Sequence, residues 1–147
     1  MIEWTKVETQ ADADALMKVF GGFHDACIRE AHLATGYWVA EDLHMRCAAE
    51  LDNNIQFLVQ RQFTNPAAVL LLFEEVTRFN LVPATENMDS IILDATVLVR
   101  DGTIYWSVEG GWAPDGENCD AVTWISAKRL RWRAVDWLGE ELRLAPK

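Results

Sequence analysis

Residues 91–108 read IILDATVLVRDGTIYWSV, and this stretch predicts a β-hairpin. Apolar side chains recur at every second position on both sides of a turn, which is the period of a half-buried strand. They are Ile91, Leu93, Ala95, Val97 and Val99 before the turn and Ile104, Trp106 and Val108 after it. Asp101-Gly102 stands at the centre, and this dipeptide suits a type I′ turn because both central residues need positive φ.

Other segments of the chain carry the same two-residue period. We predict a strand over 26–35, a hairpin that joins 43–48 to 55–60, and a long final strand over 121–134. The turn residues of that second hairpin lie in 50–54. Val69–Phe73 is apolar at every position, which is typical of a central strand or of a short buried helix. The tail over 135–147 is apolar enough to pack as a short helix or an edge strand.

The period changes near the N-terminus, where a helix is predicted. Thr9 is a suitable N-cap, and Asp12 follows it three residues later. Gly21-Gly22 then ends the helix, as glycine does beyond a helical C-terminus. One helix and about seven strands joined by short turns indicate an α+β, mostly β domain. We therefore expect a single domain over 1–147, built as an antiparallel sandwich or a strongly twisted sheet with the N-terminal helix against it.

The charge of the chain limits its partners. Thirteen Lys and Arg face 23 Asp and Glu, a formal net charge of -10. Such a field repels phosphates and argues against nucleic acid, whereas it attracts a basic protein surface. The alternative is that the charge only keeps the protein soluble.

The same composition bears on location and cofactors. The chain has an odd number of cysteines, and none of them has C-x-x-C spacing; they are Cys27, Cys47 and Cys119. This pattern favours a reducing compartment. The N-terminus has no signal-peptide pattern and no window is apolar enough to span a membrane, so we expect a cytoplasmic protein. No P-loop or G-x-G-x-x-G is present, and we expect no cofactor.

His24-Asp25 is the first candidate for chemistry, because such pairs ligate metals or form catalytic dyads. A metal-dependent hydrolase would need His32 and His44 as well, but their spacing matches no standard metal motif. We therefore expect no metal site. The alternative is structural: Asp25 closes the turn after the two glycines, and His24 bonds to backbone.

Charged side chains on two predicted strands offer a second candidate. Arg129, Arg131 and Arg133 alternate, so their guanidinium groups share one face of one strand. They predict either an anion site or cross-strand pairing with carboxylates. Glu74 and Glu75 are adjacent on a strand and should point to opposite faces, which excludes a glycosidase-like carboxylate pair.

The loop over 109–117 is the best candidate for partner recognition. Trp112 lies there among Gly and Pro, with Asp115 and Glu117 beside it. A Trp in such a loop either folds back on the core or is offered to a partner, where Trp is a common anchor.

Two stretches carry a resemblance. Phe20-Gly21-Gly22-Phe23-His24-Asp25-Ala26-Cys27-Ile28 resembles a bacterial group of small proteins whose domains open with Phe-His-Asp-Ala before a strand. Residues 73–81 resemble the F-x-x-V-x-x-L-x-L strand of that group. The group includes uncharacterised proteins and some predicted immunity proteins of polymorphic toxin systems. The resemblance covers about half of the chain and implies a mostly β domain that is not an enzyme.

Three functions therefore stay open. The first is a non-enzymatic binding protein, an immunity-type or regulatory partner of a basic protein. The second is a structural homo-oligomer, for example a homodimer, in which the strand Ala121–Ala134 lies at a sheet edge and pairs across a two-fold axis, or the apolar tail does so. The third is a metal-dependent hydrolase around His24 and Asp25.

Overall fold

The computed structural model describes residues 3–48 and 53–144. Within these residues the regular elements are one helix, nine strands and two short 3-10 turns, which are joined by loops. The helix α1 is Gln10–Val19, and the 3-10 turns are Gly21–Phe23 and Cys119–Ala121. The strands are β1 Thr5–Val7, β2 Ala26–Ala34, β3 Tyr37–Val39, β4 Met45–Cys47, β5 Asn54–Arg61, β6 Ala68–Asn80, β7 Thr96–Arg100, β8 Thr103–Ser107 and β9 Trp124–Val135.

Seven of these strands form one antiparallel sheet: six follow the order β2-β5-β6-β9-β8-β7, and the seventh, β1, pairs with β9. Strand β9 pairs with β6 along its length on one side. Its other side is shared: β8 pairs with Trp124–Ala127 and β1 pairs with Leu130–Trp132. Of the two predicted arrangements, the chain thus forms the single sheet and not the sandwich. Strand β9 lies inside this sheet, so the prediction that Ala121–Ala134 is an edge strand is wrong.

Backbone hydrogen bonds connect the two ends of the sheet. Ile92, just before β7, forms an antiparallel bridge with Ala26 at the start of β2, and its N–H donates to the Ala26 carbonyl at 2.7 Å. Ala95 N–H donates to the carbonyl of Gly22 at 2.9 Å. The sheet therefore curves around an enclosed core.

Aromatic side chains fill that core. The largest fully buried side chains are Trp106, Phe20, Phe23, Phe57 and Phe73. The rings of Phe23 and Phe57 lie 5.5 and 5.6 Å from that of Trp106, in edge-on contacts that aromatic rings favour. Leu16 of α1 is buried in the same cluster, which holds the helix against the sheet.

A smaller cluster covers the opposite face of β5 and β6. Leu58, Ala68 and Leu70 are buried there beneath partly buried residues from both ends of the chain, namely Trp4, Val135, Trp137 and Leu144. Both faces of β6 are therefore apolar, as the run Val69–Phe73 predicts for a central strand. The part of the tail over 136–144 forms neither helix nor strand, so both alternatives predicted for it are wrong, and 145–147 lie outside the described residues.

The helix begins as its sequence predicts. Asp12 N–H donates to Thr9 Oγ1 at 3.2 Å, and Thr9 N–H donates to the Asp12 carboxylate at 3.0 Å, a complete capping box. Gln10, the first helical residue, also bonds β7: its side chain accepts from Val99 N–H at 2.9 Å and donates to the Val97 carbonyl at 3.1 Å. This side chain anchors the helix on an edge strand of the sheet.

The hairpin β7–β8 is confirmed, with φ of 52° at Asp101 and 74° at Gly102. Its first strand is shorter than predicted, because β7 begins only at Thr96. Ile91 and Leu93 precede it in an irregular segment and are exposed.

The predicted hairpin of 43–48 with 55–60 is wrong. Strand β4 pairs with β3 in a separate two-stranded sheet, while β5 pairs with β2 and β6. Alternation shows which face a side chain takes but not which strand is the partner. Tyr37–Val39 was the nearer partner along the chain, through a tight turn over 40–44. The predicted turn over 50–54 lies mostly outside the described residues.

Candidate functional site

A hairpin outside the main sheet exposes several large apolar side chains. We call residues 36–48, which contain β3 and β4, the hairpin arm. Its turn is well formed: Leu43 N–H donates to the Ala40 carbonyl at 2.8 Å, and Ala48 N–H donates to the Gly36 carbonyl at 2.7 Å. The arm is thus a regular element that follows directly from the end of β2.

One face of the arm is apolar. Residues directly opposite in an antiparallel pair share a face, and here the pairs are Tyr37 with Cys47 and Val39 with Met45. Tyr37, Val39 and Met45 are 51, 57 and 65% exposed, and Cys47 is also exposed. These four side chains form a continuous apolar face open to solvent.

Polar interactions hold the rest of the arm in shape. Arg46 lies opposite Trp38 on the second face, and its guanidinium contacts the Asp42 carboxylate at 2.6 Å. Asp42 also accepts from His44 N–H at 3.0 Å, which fixes the turn. The sequence signal for this arm was the run Tyr37-Trp38-Val39, because aromatic and β-branched residues favour strands.

Trp112 folds back on the core. Its side chain is buried, with the residue 6% exposed, and its ring lies 5.0 Å from that of Trp124 and 6.0 Å from that of Tyr105. The indole Nε1 donates to the carbonyl of Cys119 at 2.9 Å. The interpretation of Trp112 as an anchor offered to a partner is therefore wrong, because the packed ring is not accessible.

The two acidic residues of the same loop stay on the surface. Asp115 accepts from Arg100 at 3.2 Å, and this hydrogen bond, with smaller contributions from a backbone N–H and the charge of Arg100, lowers the pKa of Asp115. Glu117 is exposed. Asp120, at the end of the loop, accepts from Trp124 Nε1 at 3.0 Å, which is the main cause of its lowered pKa, with Arg78 adding to it. Asp115 and Asp120 are thus bonded within the protein, while Glu117 stays on the surface of the loop.

The arginine stripe of β9 is engaged with its neighbours. Arg131 Nε lies 3.0 Å from the Glu74 carboxylate, and Arg129 contacts Glu74 at 3.9 Å and Glu75 more closely. The Arg133 guanidinium lies over the ring of Trp4 at 4.9 Å. Cross-strand pairing therefore accounts for Arg129 and Arg131, and a cation–π contact accounts for Arg133.

Glu74 and Glu75 converge on one partner, contrary to expectation. Glu75 has φ of 51°, so its backbone leaves the extended region within β6. The two carboxylates consequently reach the same guanidinium, that of Arg129. Strand alternation does not hold across a left-handed residue, and this was the error in the prediction.

His24 and Asp25 stand at the start of β2. His24 Nδ1 lies 2.7 Å from the carbonyl of Leu93, and its Nε2 lies 3.4 Å from the Asp25 carboxylate. Asp25 has φ of 56°, and its carbonyl accepts from Gln62 N–H at 3.2 Å. The pair thus ties the turn before β2 to two neighbouring segments, in keeping with the structural interpretation.

Two of the three histidines, His24 and His32, lie near opposite ends of strand β2. Strand β2 runs between His24 and His32, and its six steps from Ala26 to His32 span roughly 20 Å. His44 lies in the turn of the hairpin arm. Over 3–48 and 53–144, no group of three His, Cys, Asp or Glu side chains could hold a metal ion. The hydrolase alternative therefore has no assembled site in this part of the chain.

Comparisons with known proteins add no relative to this description. No protein-family model matches the chain, and neither the curated proteins nor the solved structures contain a match. Among the described residues, no helix has the length and apolar character needed to cross a membrane. The candidate binding site is the apolar face of the hairpin arm, where Tyr37, Val39 and Met45 are each more than half exposed.

Proposed function

We propose that this chain is a binding protein for a basic protein partner, which it engages through the apolar face of the hairpin arm. The observation that carries the proposal is the exposure of Tyr37, Val39 and Met45 side by side on that face. The Phe-His-Asp resemblance supports the same class of function, an immunity-type or regulatory partner.

The physical argument begins with the stability of the arm. An isolated two-stranded hairpin is marginally stable in water, and it gains stability when a third layer covers its apolar face. A contiguous apolar patch rimmed by polar residues is typical of a protein interaction site. Burying these side chains against a partner supplies roughly 25 cal/mol for each Å² of apolar surface removed from water.

Charge selects the kind of partner. The chain has a formal net charge of -10, and Glu41 and Asp42 lie at the tip of the arm. A second copy would bring the same charge to the interface and be repelled, whereas a basic protein would be attracted and steered during encounter. We therefore favour a basic partner over a homodimer.

The test compares two variants of the full chain as bait. Val39→Ser with Met45→Ser removes apolar surface from the arm without changing charge. Phe63→Ser is the matched control, since Phe63 is 94% exposed and lies far from the arm. It follows β5, whose last residue pairs with the first residue of β2, whereas the arm follows the last residue of β2. Proteins captured from a lysate of the source organism at low salt are identified, purified and titrated against each variant by calorimetry.

We expect to capture a protein of basic isoelectric point whose affinity for the wild-type chain equals its affinity for the Phe63→Ser variant. The arm variant should bind it at least tenfold more weakly, a change of about 1.4 kcal/mol. Binding should weaken as salt rises through the physiological range. An acidic partner, equal binding by the arm variant, or self-association of the chain in sedimentation experiments would overturn the proposal.

A further inference from the structure

A second candidate site lies at a gap in the strand pairing along β9, and its chemistry differs from that of the hairpin arm. On one side of β9, the strand β8 pairs up to Ala127 and β1 begins to pair at Leu130. Neither strand reaches Lys128 and Arg129. A cleft of about 420 Å³ lies there.

The charge of this cleft is opposite to that of the protein. Four cations line it, namely Lys6, Lys128, Arg129 and Arg131, against the two carboxylates Glu8 and Glu74. Both arginines form ion pairs with Glu74. Lys128 Nζ donates to the Thr103 hydroxyl at 3.2 Å, and within the described residues neither lysine forms an ion pair. Two lysine charges are therefore available at the cleft of an otherwise acidic molecule.

The floor of the cleft is apolar. Val7, Ile104 and Leu130 line it and are buried members of the main core, and Val99 adds a partly buried side chain. An apolar floor with a few converging polar groups, in a volume of this order, is typical of small-ligand sites. Val99 has the largest exposed fraction of these four side chains, and a molecule with an apolar body would cover it, whereas a fully hydrated inorganic ion would not.

We propose that this cleft binds a small organic anion with an apolar body and one carboxylate or phosphate group. The body lies on the apolar floor, chiefly against Val99, and the anionic group lies between Lys6 and Lys128. The site shares no residue with the hairpin arm, so the two proposals succeed or fail independently.

The probe is sodium octanoate, which combines an eight-carbon apolar body with one carboxylate. Octan-1-ol, with the body but no charge, and acetate, with the charge but little body, are the ligand controls. Each is titrated into the ¹⁵N-labelled full chain while amide resonances are followed. The protein variants are the double change Lys6→Gln with Lys128→Gln, and Lys18→Gln as the matched control, because Lys18 lies at the end of α1 and does not line the cleft.

The expected result is saturable octanoate binding with shifts concentrated in residues 6–8, 99–104 and 128–131. Octan-1-ol and acetate should each bind at least tenfold more weakly than octanoate. The double lysine variant should lose about tenfold in affinity, since exposed charge pairs contribute up to about 1 kcal/mol each, and Lys18→Gln should retain wild-type affinity.

Three results would overturn the inference. One is the absence of saturable octanoate binding up to about 10 mM, the weak limit for a specific small ligand. Another is equal binding of octan-1-ol or acetate, which would indicate a generic apolar depression or a surface charge effect. The third is an unchanged affinity of the double lysine variant, with its fold verified by the dispersion of its amide resonances.

Discussion

The indole Nε1 of Trp112 donates a 2.9 Å hydrogen bond to the carbonyl of Cys119, seven residues along the same loop. This bond lies beneath the acidic loop, and the ring packs on Trp124 at 5.0 Å. The loop over 109–121 is therefore held against the sheet by a buried side chain and not by its exposed carboxylates, whose ion pairs contribute little.

Replacing Trp112 should consequently destabilise the whole domain. We expect Trp112→Ala to lower the free energy of unfolding by about 3–5 kcal/mol, the range observed when a large buried aromatic side chain is truncated. Trp112→Phe keeps most of the packing and loses the hydrogen bond, so its cost should be smaller. Urea denaturation followed by circular dichroism measures both. A loss below about 0.5 kcal/mol for Trp112→Ala would show that the ring is not part of the core.

The capping box of α1 predicts a dependence on pH. The Asp12 carboxylate accepts from Glu8 N–H at 2.9 Å and from Thr9 N–H at 3.0 Å, and these two backbone bonds lower the pKa of Asp12. A carboxyl whose pKa is lower in the folded state stabilises the fold above its unfolded pKa of about 3.9. That stabilisation is lost as the pH falls through the folded value.

Asp12→Asn should therefore lower the urea midpoint at pH 7, and the difference from wild type should shrink towards about pH 3. Thr9→Ala is the matched comparison, because it removes an acceptor that Asp12 N–H uses at any pH. Its cost, typically about 1 kcal/mol for a helix N-cap, should remain for the most part at both pH values, because the Thr9 side chain is the smallest of the causes that lower the pKa of Asp12. A pH-independent difference for Asp12→Asn would contradict the assigned role of the carboxylate.

Short sequence motifs were sufficient to predict those elements whose conformation depends on a few adjacent residues. Thr9 with Asp12 predicted the start of α1, and Asp101-Gly102 predicted the turn between β7 and β8, since caps and tight turns depend on a few adjacent residues. The apolar run Val69–Phe73 predicted a central strand or a short buried helix, and the structure has the central strand, with both faces of β6 covered.

Long-range relationships could not be obtained in the same way. The interior position of β9 depends on β1, a three-residue strand with a weak pattern that lies more than 120 residues away along the chain. The partner of β4 is local, but alternation alone did not identify it. Trp112 allowed two interpretations because burial of a loop side chain depends on distant rings. Neither the hairpin arm nor the gap in β9 was predicted as a site. Both depend on where the pairing of one strand with the next begins and ends, which alternation does not specify.

The tight turn of the β7–β8 hairpin predicts a strain effect at one glycine. Gly102 has φ of 74°, and a Cβ added there would meet no atom within 4 Å. Gly102→Ala should therefore cost only the backbone penalty of a left-handed residue, about 1 kcal/mol. Asp101→Gly places glycine where φ is also positive and should be close to neutral. Thermal unfolding of both variants gives the comparison, and a stabilised Gly102→Ala would contradict the turn conformation.

The left-handed residue inside β6 gives a sharper test, because two adjacent positions should respond in opposite ways. Glu75 has φ of 51°, a conformation that costs an L-residue about 1–2 kcal/mol and glycine very little. Both Glu75→Gly and Glu75→Ala lose the contact with Arg129, so the difference between them isolates the backbone. Glu75→Gly should be the more stable by about 1 kcal/mol.

At Glu74, which has no such φ, glycine should instead be less stable than alanine by about 0.5–1 kcal/mol, the usual penalty within a strand. Urea denaturation of the four variants measures both differences. Glycine less stable than alanine at both positions would mean that β6 is regular there, and the convergence of Glu74 and Glu75 on Arg129 would lose its structural cause.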